Sequence, residues 1–239
     1  MNDIAYVVLV VALTALLQAI SGFGFALLAV PLFALRVDVH EAVVLSSCIG
    51  TISSGWQTYF LRKDVVGDTA KRYILASLVG VPIGFGMFVL LSDQILRVMV
   101  GIAVLFGTAV VAFGRELKVK RAWERGLGVL SGALLIATST NGPPIVLALQ
   151  AQRMPMLEFR ATLARIFFVT GVISVLLFLV AGKIEGSVIL STLLCLPVMT
   201  ISVLIGNRVA RKIAERPFRV LVLALLVLAG LSSLAPAFG

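Results

Sequence analysis

The sequence has little charge and very few residues that could bind a metal or carry out nucleophilic catalysis. Charged residues make up 13% of its 239 positions, and there are only one histidine and two cysteines. Cys48 and Cys195 lie in separate apolar runs, and His40 lies beside a loop. A zinc-type site needs three or four such ligands, and a catalytic nucleophile needs a base next to it. We therefore expect no metal site, no cofactor and no enzymatic activity.

The sequence is rich in long runs of hydrophobic residues. Hydrophobic residues make up 60% of the chain, and the mean hydropathy is +1.12. A soluble core does not need so much apolar sequence, whereas each membrane-spanning helix takes about 20 apolar residues. We therefore predict one all-α, multi-pass domain over residues 1–239, in the cytoplasmic (inner) membrane. Eight apolar segments are recognised: 4–35, 40–61, 70–91, 95–114, 125–152, 160–181, 187–206 and 217–237.

The distribution of basic residues indicates that the fifth segment does not cross the membrane. We attribute the net charge of +9 to cytoplasmic loops rich in Lys and Arg rather than to nucleic-acid binding. If all eight segments crossed, the 20 basic residues would divide equally between the two sides. If the fifth segment enters and leaves on one side, every basic residue except Arg36, Arg97 and Lys183 becomes cytoplasmic, as the positive-inside rule expects. A re-entrant hairpin is therefore predicted at this segment.

The fifth segment also carries a break at its centre, over residues 138–144. Asn141 or Gly142 can cap a helix, and Pro143 fits a first helical turn because that turn needs no N–H from it. One half-helix is therefore expected to end near Ala137 and another to begin near Pro143. Non-helical backbone at membrane depth must be buried or line a polar cavity. The free N–H groups and the positive dipole end of the second half-helix would suit an anion.

The two halves of the sequence repeat a common order of features. Both the first and the fifth segments contain a Ser-Gly pair that is followed by a proline, and a single shift aligns Gly84 with Gly206 and Arg97 with Arg219. Residues 1–118 and 119–239 are therefore predicted to be two repeats, each a broken, re-entrant hairpin plus three transmembrane helices. Because three is odd, the repeats would have inverted topology.

The first segment is too long for one upright span, because a helix rises only 1.5 Å per residue. Its break is expected either at Ser21-Gly22-Phe23-Gly24 or before Pro31. The alternative is a single tilted helix, and the absence of Lys and Arg from residues 1–30 leaves this choice untested by charge.

The residues expected to face a substrate cluster at the two breaks and on a polar stripe of the second segment. The stripe consists of Ser46, Ser47, Gly50, Thr51, Ser53, Ser54 and Gln57. For the stripe the alternative is helix packing, and for Arg165 it is a side chain that snorkels to the membrane interface. Gln18 and Gln150 could bond the broken backbone or the substrate. Two further motifs, Gly80-x-x-x-Gly84 and Gly128-x-x-x-Gly132, are interpreted as packing motifs. The candidate binding residues are Ser21, Gly22, Gly24, Ser47, Thr51, Thr138, Ser139, Thr140, Asn141, Gly142 and Arg165.

Two glycine-based motifs resemble the repeat signatures of the TauE/SafE-like sulfite exporter family. The first is Ser21-Gly22-Phe23-Gly24-Phe25 with the following Val30-Pro31-Leu32, and the second runs from Gly128 through Ser131-Gly132 to Asn141-Gly142-Pro143-Pro144. The sequence departs from the pattern at residues 138–141, where such proteins tend to have more glycine. The resemblance covers nearly the whole chain and implies an inner-membrane transporter for small sulfur-containing anions, such as sulfite, sulfonates or related organic acids.

We therefore expect a secondary transporter that binds a small sulfur-containing anion near the membrane midplane, at the half-helix termini of the two broken segments. The alternatives are a passive anion channel on the same scaffold and a membrane sulfur-relay protein, although Cys48 and Cys195 do not form a thiol pair in the sequence. The expected partners are the small anion and membrane lipid, without nucleic acid. Coupling to protons or sodium, a homodimer, and the direction of transport stay open.

Overall fold

The computed structural model describes residues 2–113, 121–210 and 215–234, and every regular element in these ranges is a helix. The predicted repeat boundary at residues 118 and 119 lies outside the described residues. The helices are α1 (Asn2–Ser21), α2 (Phe25–Phe33), α3 (Val39–Phe60), α4 (Gly67–Leu90), α5 (Asp93–Phe113), α6 (Arg121–Thr138), α7 (Gly142–Ala151), α8 (Met156–Val180), α9 (Gly186–Val209) and α10 (Glu215–Leu234).

The first apolar segment is broken at residues 22–24, between α1 and α2. Gly22 has φ 88° and Gly24, the N-cap of α2, has φ 97°. Glycine adopts such angles readily because it has no Cβ, so the sequence supplies the residue that this turn requires. The alternative of a single tilted helix is therefore wrong, and so is a break before Pro31, which lies inside α2.

The fifth segment is broken at residues 139–141, between α6 and α7. The prediction placed the end of the first half-helix near Ala137 and the start of the second near Pro143, and the observed boundaries are Thr138 and Gly142. Asn141 is the N-cap residue, as predicted. Together the two breaks divide each of these long segments into a longer and a shorter helix.

Five of the described helices are long and apolar enough to cross a membrane: Ile4–Ser21 of α1, and the whole of α4, α5, α8 and α9. The sequence predicted that α3 and α10 also span. α3 has the length, but hydroxyl and amide side chains interrupt its apolar run. In α10 the apolar stretch of the described side chains is Val222–Leu231.

The largest helix contacts join the first half of the chain to the second. α1 packs on α9, α4 on α6, α3 on α8, and α5 on α10. The two short helices lie at the centre of this arrangement, and nearly all of their side chains are buried. A helix that is apolar on all sides is stable only where it is buried in the protein or the membrane. As a result, the two breaks are enclosed by the longer helices.

Glycines bring α4 and α6 into backbone contact. A Cβ atom placed on Gly132 would lie 1.9 Å from the Ser77 carbonyl oxygen, and one on Gly80 would lie 2.0 Å from the Val129 oxygen. Gly84 has the same relation to Ala133. The interpretation of both Gly-x-x-x-Gly motifs as packing motifs is confirmed by these contacts, because small residues allow membrane helices to approach closely.

Candidate functional site

A small cavity of about 50 Å³, with polar and apolar groups in its walls, lies between the two helix breaks. A site needs about 10–15 Å³ to hold one water molecule, so this cavity has room for a few waters or one small oxyanion. Its walls come from α1, α3, α8 and both breaks. The lining residues are Gln18, Gly24, Phe25, Ala26, Leu27, Ser46, Ser47, Gly50, Thr51, Ser54, Leu135, Ser139, Thr140, Asn141, Gly142, Phe167 and Gly171.

The N-terminal turns of both short helices border this cavity. Gly24 and Phe25 bring the start of α2 to one wall, and Asn141 and Gly142 bring the start of α7 to another. The first N–H groups of a helix have no acceptor within the helix, and neither N-cap residue supplies a side-chain oxygen to them. In α7 the free donor of the first turn is the Gly142 N–H, because the two prolines that follow carry none. Each helix start also carries a partial positive charge. The cavity is therefore bordered by two positive helix ends.

Hydroxyl groups of α3 form the facing wall and connect it to the second break and to α1. Ser47 Oγ donates a hydrogen bond to Ser139 Oγ at 3.1 Å. On the other side, Gln18 Nε2 of α1 donates to Ser54 Oγ at 3.1 Å, and Ser53 Oγ donates to Gln18 Oε1 at 2.7 Å. The amide of Gln18 therefore holds α1 against α3, which is neither of the two roles expected for it, and Gln18 also lines the cavity.

The second break is held by local hydrogen bonds. The hydroxyls of Thr138 and Thr140 lie 2.5 Å apart, and Ser131 Oγ donates to the Asn141 carbonyl oxygen at 2.8 Å. Ser139 has φ 58°, which is uncommon for a residue with a side chain. Its hydroxyl meets Ser47 of α3. These bonds hold an irregular backbone in place inside the protein, so the groups around the cavity are preorganised.

The first break is held by Ser21 and by an arginine. Ser21 Oγ donates to the Phe23 carbonyl oxygen at 2.6 Å. Arg160, which is only 6% exposed, donates from Nη2 to the Ala19 carbonyl oxygen and to Asn207 Oδ1, the latter at 2.8 Å. Its side chain also packs on Gly22. A cation at the C-terminal end of α1 is electrostatically favourable.

The structure brings seven of the eleven predicted binding residues to one cavity, and leaves four outside its lining. Ser21, Gly22 and Thr138 lie in the breaks and hold the backbone rather than the cavity wall. Arg165 is half-buried on α8, and its Nε has no hydrogen-bond partner among the described residues. The seven that line the cavity are Gly24, Ser47, Thr51, Ser139, Thr140, Asn141 and Gly142.

Sequence reasoning expected α8 to contribute Arg165, and it missed the α8 residues that line the cavity and the aromatic side chains. Phe167 and Gly171 line the cavity from α8, and Phe25 lines it from α2. From the sequence alone, an aromatic residue or a glycine that lines a cavity cannot be told from one that packs against a neighbouring helix. Ser46, Gly50 and Ser54 belong to the predicted polar stripe, and its spacing along one helical face was the signal for them. None of the lining residues is charged.

Comparison with known proteins gives one family over nearly the whole chain. The family described as "Sulfite exporter TauE/SafE" matches residues 7–233. No solved structure matches the chain. The family description names an exporter, in agreement with the expectation of a transporter rather than an enzyme.

Two curated proteins are similar to parts of the chain. A protein of Cupriavidus necator named "Probable sulfite/organosulfonate exporter TauE" is 25% identical over 61% of this chain and 58% of its own length. A protein of Comamonas testosteroni named "Probable inner membrane transporter protein TsaS" is 32% identical over 43% of this chain and 44% of its own length. The chain thus matches about half the length of these relatives. The family match, together with the two helix breaks that carry the motifs, shows that the chain belongs to the TauE/SafE sulfite exporter family.

Proposed function

We propose that the protein is a secondary transporter of small sulfur-containing anions, such as sulfite or sulfonates, in the cytoplasmic membrane. The observation that carries this proposal is the convergence of two helix N-terminal turns on one cavity whose lining, among the described residues, has no charged side chain. The names of the two curated relatives support the choice of substrate class and membrane. The five apolar helices support a multi-pass protein.

The chemistry of the cavity suits an oxyanion in two ways. The oxygens of sulfite or a sulfonate accept hydrogen bonds, and backbone N–H groups and the hydroxyls of Ser46 and Ser139 can donate them. The hydroxyls of Ser47 and Thr51 already donate to Ser139 Oγ and to the Ser47 carbonyl oxygen. The lining includes no carboxylate that would repel the anion. Since the positive charge at the helix starts is only partial, the anion would be held without a full ion pair and could leave again.

We also propose that the two halves are inverted repeats with re-entrant hairpins. The helix contacts support this, because exchanging α1–α5 with α6–α10 maps the largest packing pairs onto observed pairs. The α1–α9 contact becomes α6–α4, α3–α9 becomes α8–α4, and α2–α10 becomes α7–α5, whereas α3–α8 and α5–α10 map onto themselves. In such a scaffold, one half rocking on the other would expose the cavity to each side in turn.

The re-entrant hairpin has a direct topological consequence. In a Cys48→Ala, Cys195→Ala background, cysteines introduced at the exposed positions 125 and 153 should both react with a membrane-impermeant maleimide from the cytoplasmic side. A cysteine at Lys183 should react only from the opposite side. Labelling of positions 125 and 153 from opposite sides would show that residues 125–152 cross the membrane. Retained transport in the background variant would also exclude a sulfur relay through these thiols.

Arg165 stays a proposed contributor although it does not line the cavity. A half-buried positive charge on α8 would attract anions towards the site, so Arg165→Ala should lower anion uptake more than it lowers the amount of folded protein. Arg72→Ala removes an exposed arginine from α4 and serves as the matched control. Equal uptake in both variants would indicate that Arg165 only snorkels to the interface.

Flux through reconstituted liposomes tests the function itself. Purified protein should take up radiolabelled sulfite with saturable kinetics, in response to an imposed proton or sodium gradient, and an unlabelled sulfonate should compete. A current that grows in proportion to voltage without saturation would instead identify a passive channel. No flux of any sulfur anion, in protein shown to be folded, would contradict the proposal.

A further inference from the structure

A second cluster of polar groups lies at the ends of the helices, away from the cavity between the breaks. Asp38 precedes α3, His40 lies in its first turn, and Asp93 begins α5. One ligand atom from each of these residues lies within 4.8 Å of those of the other two. The residues come from two turns, α2–α3 and α4–α5, and the fold alone brings them together.

The hydrogen bond of the histidine fixes which ring nitrogen is free to bind a ligand. His40 Nε2 lies 3.1 Å from the Phe88 carbonyl oxygen, and because a carbonyl can only accept, Nε2 carries the proton. In the neutral ring, Nδ1 then has a lone pair. The Nδ1 atom lies 2.8 Å from Asp93 Oδ1 and 3.4 Å from Asp38 Oδ1. Three electron-pair donors thus converge on one point.

The surroundings of the cluster are open and mostly acidic. The side chains of Asp38 and Asp93 are 46% and 51% exposed, so water can complete a coordination shell. An adjoining cavity of about 470 Å³ also has Glu41, Glu185 and Lys183 in its walls.

We propose that Asp38, His40 and Asp93 bind a divalent transition-metal ion such as Zn²⁺, with water in the remaining positions. One imidazole nitrogen and two carboxylate oxygens are a donor set that such ions accept, and metal-binding histidines commonly donate their other N–H to a backbone carbonyl, as His40 does to Phe88. The ion would join the turn before α3 to the start of α5. This site is independent of the proposed transport function. It departs from the expectation of no metal site, which weighed histidine and cysteine alone.

Calorimetric titration of the full-length, tag-free protein with Zn²⁺ after chelator treatment tests this site. We expect one saturable site per chain in the wild-type protein. Asp38→Asn is the sharpest variant, because Asn caps a helix as well as Asp does and the fold of α3 is preserved. Asp38→Asn and Asp93→Asn should each weaken binding at least about tenfold. Glu41→Gln, which lies in the same cavity and bonds Ser187, should change the affinity less than about twofold.

Several outcomes would overturn the proposal. Absence of saturable Zn²⁺ binding in folded wild-type protein would mean that a protonated His40 simply pairs with the two carboxylates. Equal weakening in Glu41→Gln and Asp38→Asn would indicate diffuse attraction to an acidic surface rather than coordination. Thermal unfolding of each variant without metal separates these results from a loss of fold, and Zn²⁺ should raise the unfolding temperature of wild type more than that of Asp93→Asn.

Discussion

Asn141→Asp is expected to abolish anion transport while leaving the protein folded. Asn141 is the N-cap of α7 and lines the cavity, and the substitution exchanges an amide for a carboxylate of nearly the same shape. Two like charges about 4 Å apart repel by about 4 kcal/mol at an effective dielectric constant of about 20. Since about 1.4 kcal/mol corresponds to a factor of ten, binding of an anion should weaken by roughly a hundredfold to a thousandfold.

The same substitution should lower stability much less than it lowers transport. Asp is as good an N-cap residue as Asn, and a negative charge at a helix start is favourable by about 0.3–1 kcal/mol, which offsets part of the cost of burying the carboxylate. Among the described residues, the side-chain bond at stake is the long contact of 3.4 Å from Asn141 Nδ2 to Thr170 Oγ1. Function and stability are therefore expected to respond differently, and this separates a binding role for Asn141 from a structural one.

Sulfite uptake into liposomes and thermal unfolding in detergent measure the two effects. Gln94→Glu makes the same chemical change at an exposed position in the first turn of α5, outside the cavity, and should transport like wild type. If Asn141→Asp also transported like wild type, the anion would not bind at the start of α7. If both variants lost transport, the loss would be caused by any added negative charge and not by a charge at the binding site.

The positions of the two breaks could be predicted from the sequence because they depend on local chemistry. Gly24 supplies a backbone angle that other residues avoid, and the Asn-Gly-Pro-Pro run can start a helix but cannot continue one. The partners across the cavity could not be predicted in the same way. Gln18 meets the serines of α3 only because of how α1 and α3 are rotated about their axes, and no residue of either helix fixes that rotation alone.

Arg160 and Arg165 lie on different sides of α8, and this difference determines what each side chain contacts. At 3.6 residues per turn, five positions along α8 rotate a side chain by about 140°, so the two arginines point to different sides of the helix. Arg160 reaches the end of α1, whereas Arg165 lies outside the cavity lining. The sequence placed both in one apolar segment and favoured Arg165 for the site. Choosing between them requires the packing of α8 against its neighbours.

Gly132→Ala is expected to cause the largest loss of folded protein. The added methyl carbon would lie 1.9 Å from the Ser77 carbonyl oxygen, and the next nearest atoms also belong to the Ser77 backbone. Rotation of a side chain cannot relieve such a clash, so α4 and α6 would have to separate. Overpacking usually costs about 1–3 kcal/mol, and a backbone clash belongs at or above the upper end of this range. We expect a fall in the unfolding temperature of roughly 6–12 °C, or loss of the folded protein.

Gly126→Ala on α6 and Gly86→Ala on α4 are matched controls, because a methyl group at either position meets open space. Alanine favours a helix over glycine by about 1 kcal/mol, so these variants should be as stable as wild type or more stable. Size-exclusion chromatography after detergent extraction would measure the folded fraction. Ser131 lies beside Gly132 and bonds the Asn141 carbonyl oxygen, so any Gly132→Ala protein that survives should also transport poorly. Equal stability of Gly132→Ala and Gly126→Ala would show that the backbones of α4 and α6 are not in contact. Some other contact would then have to hold the second break in place.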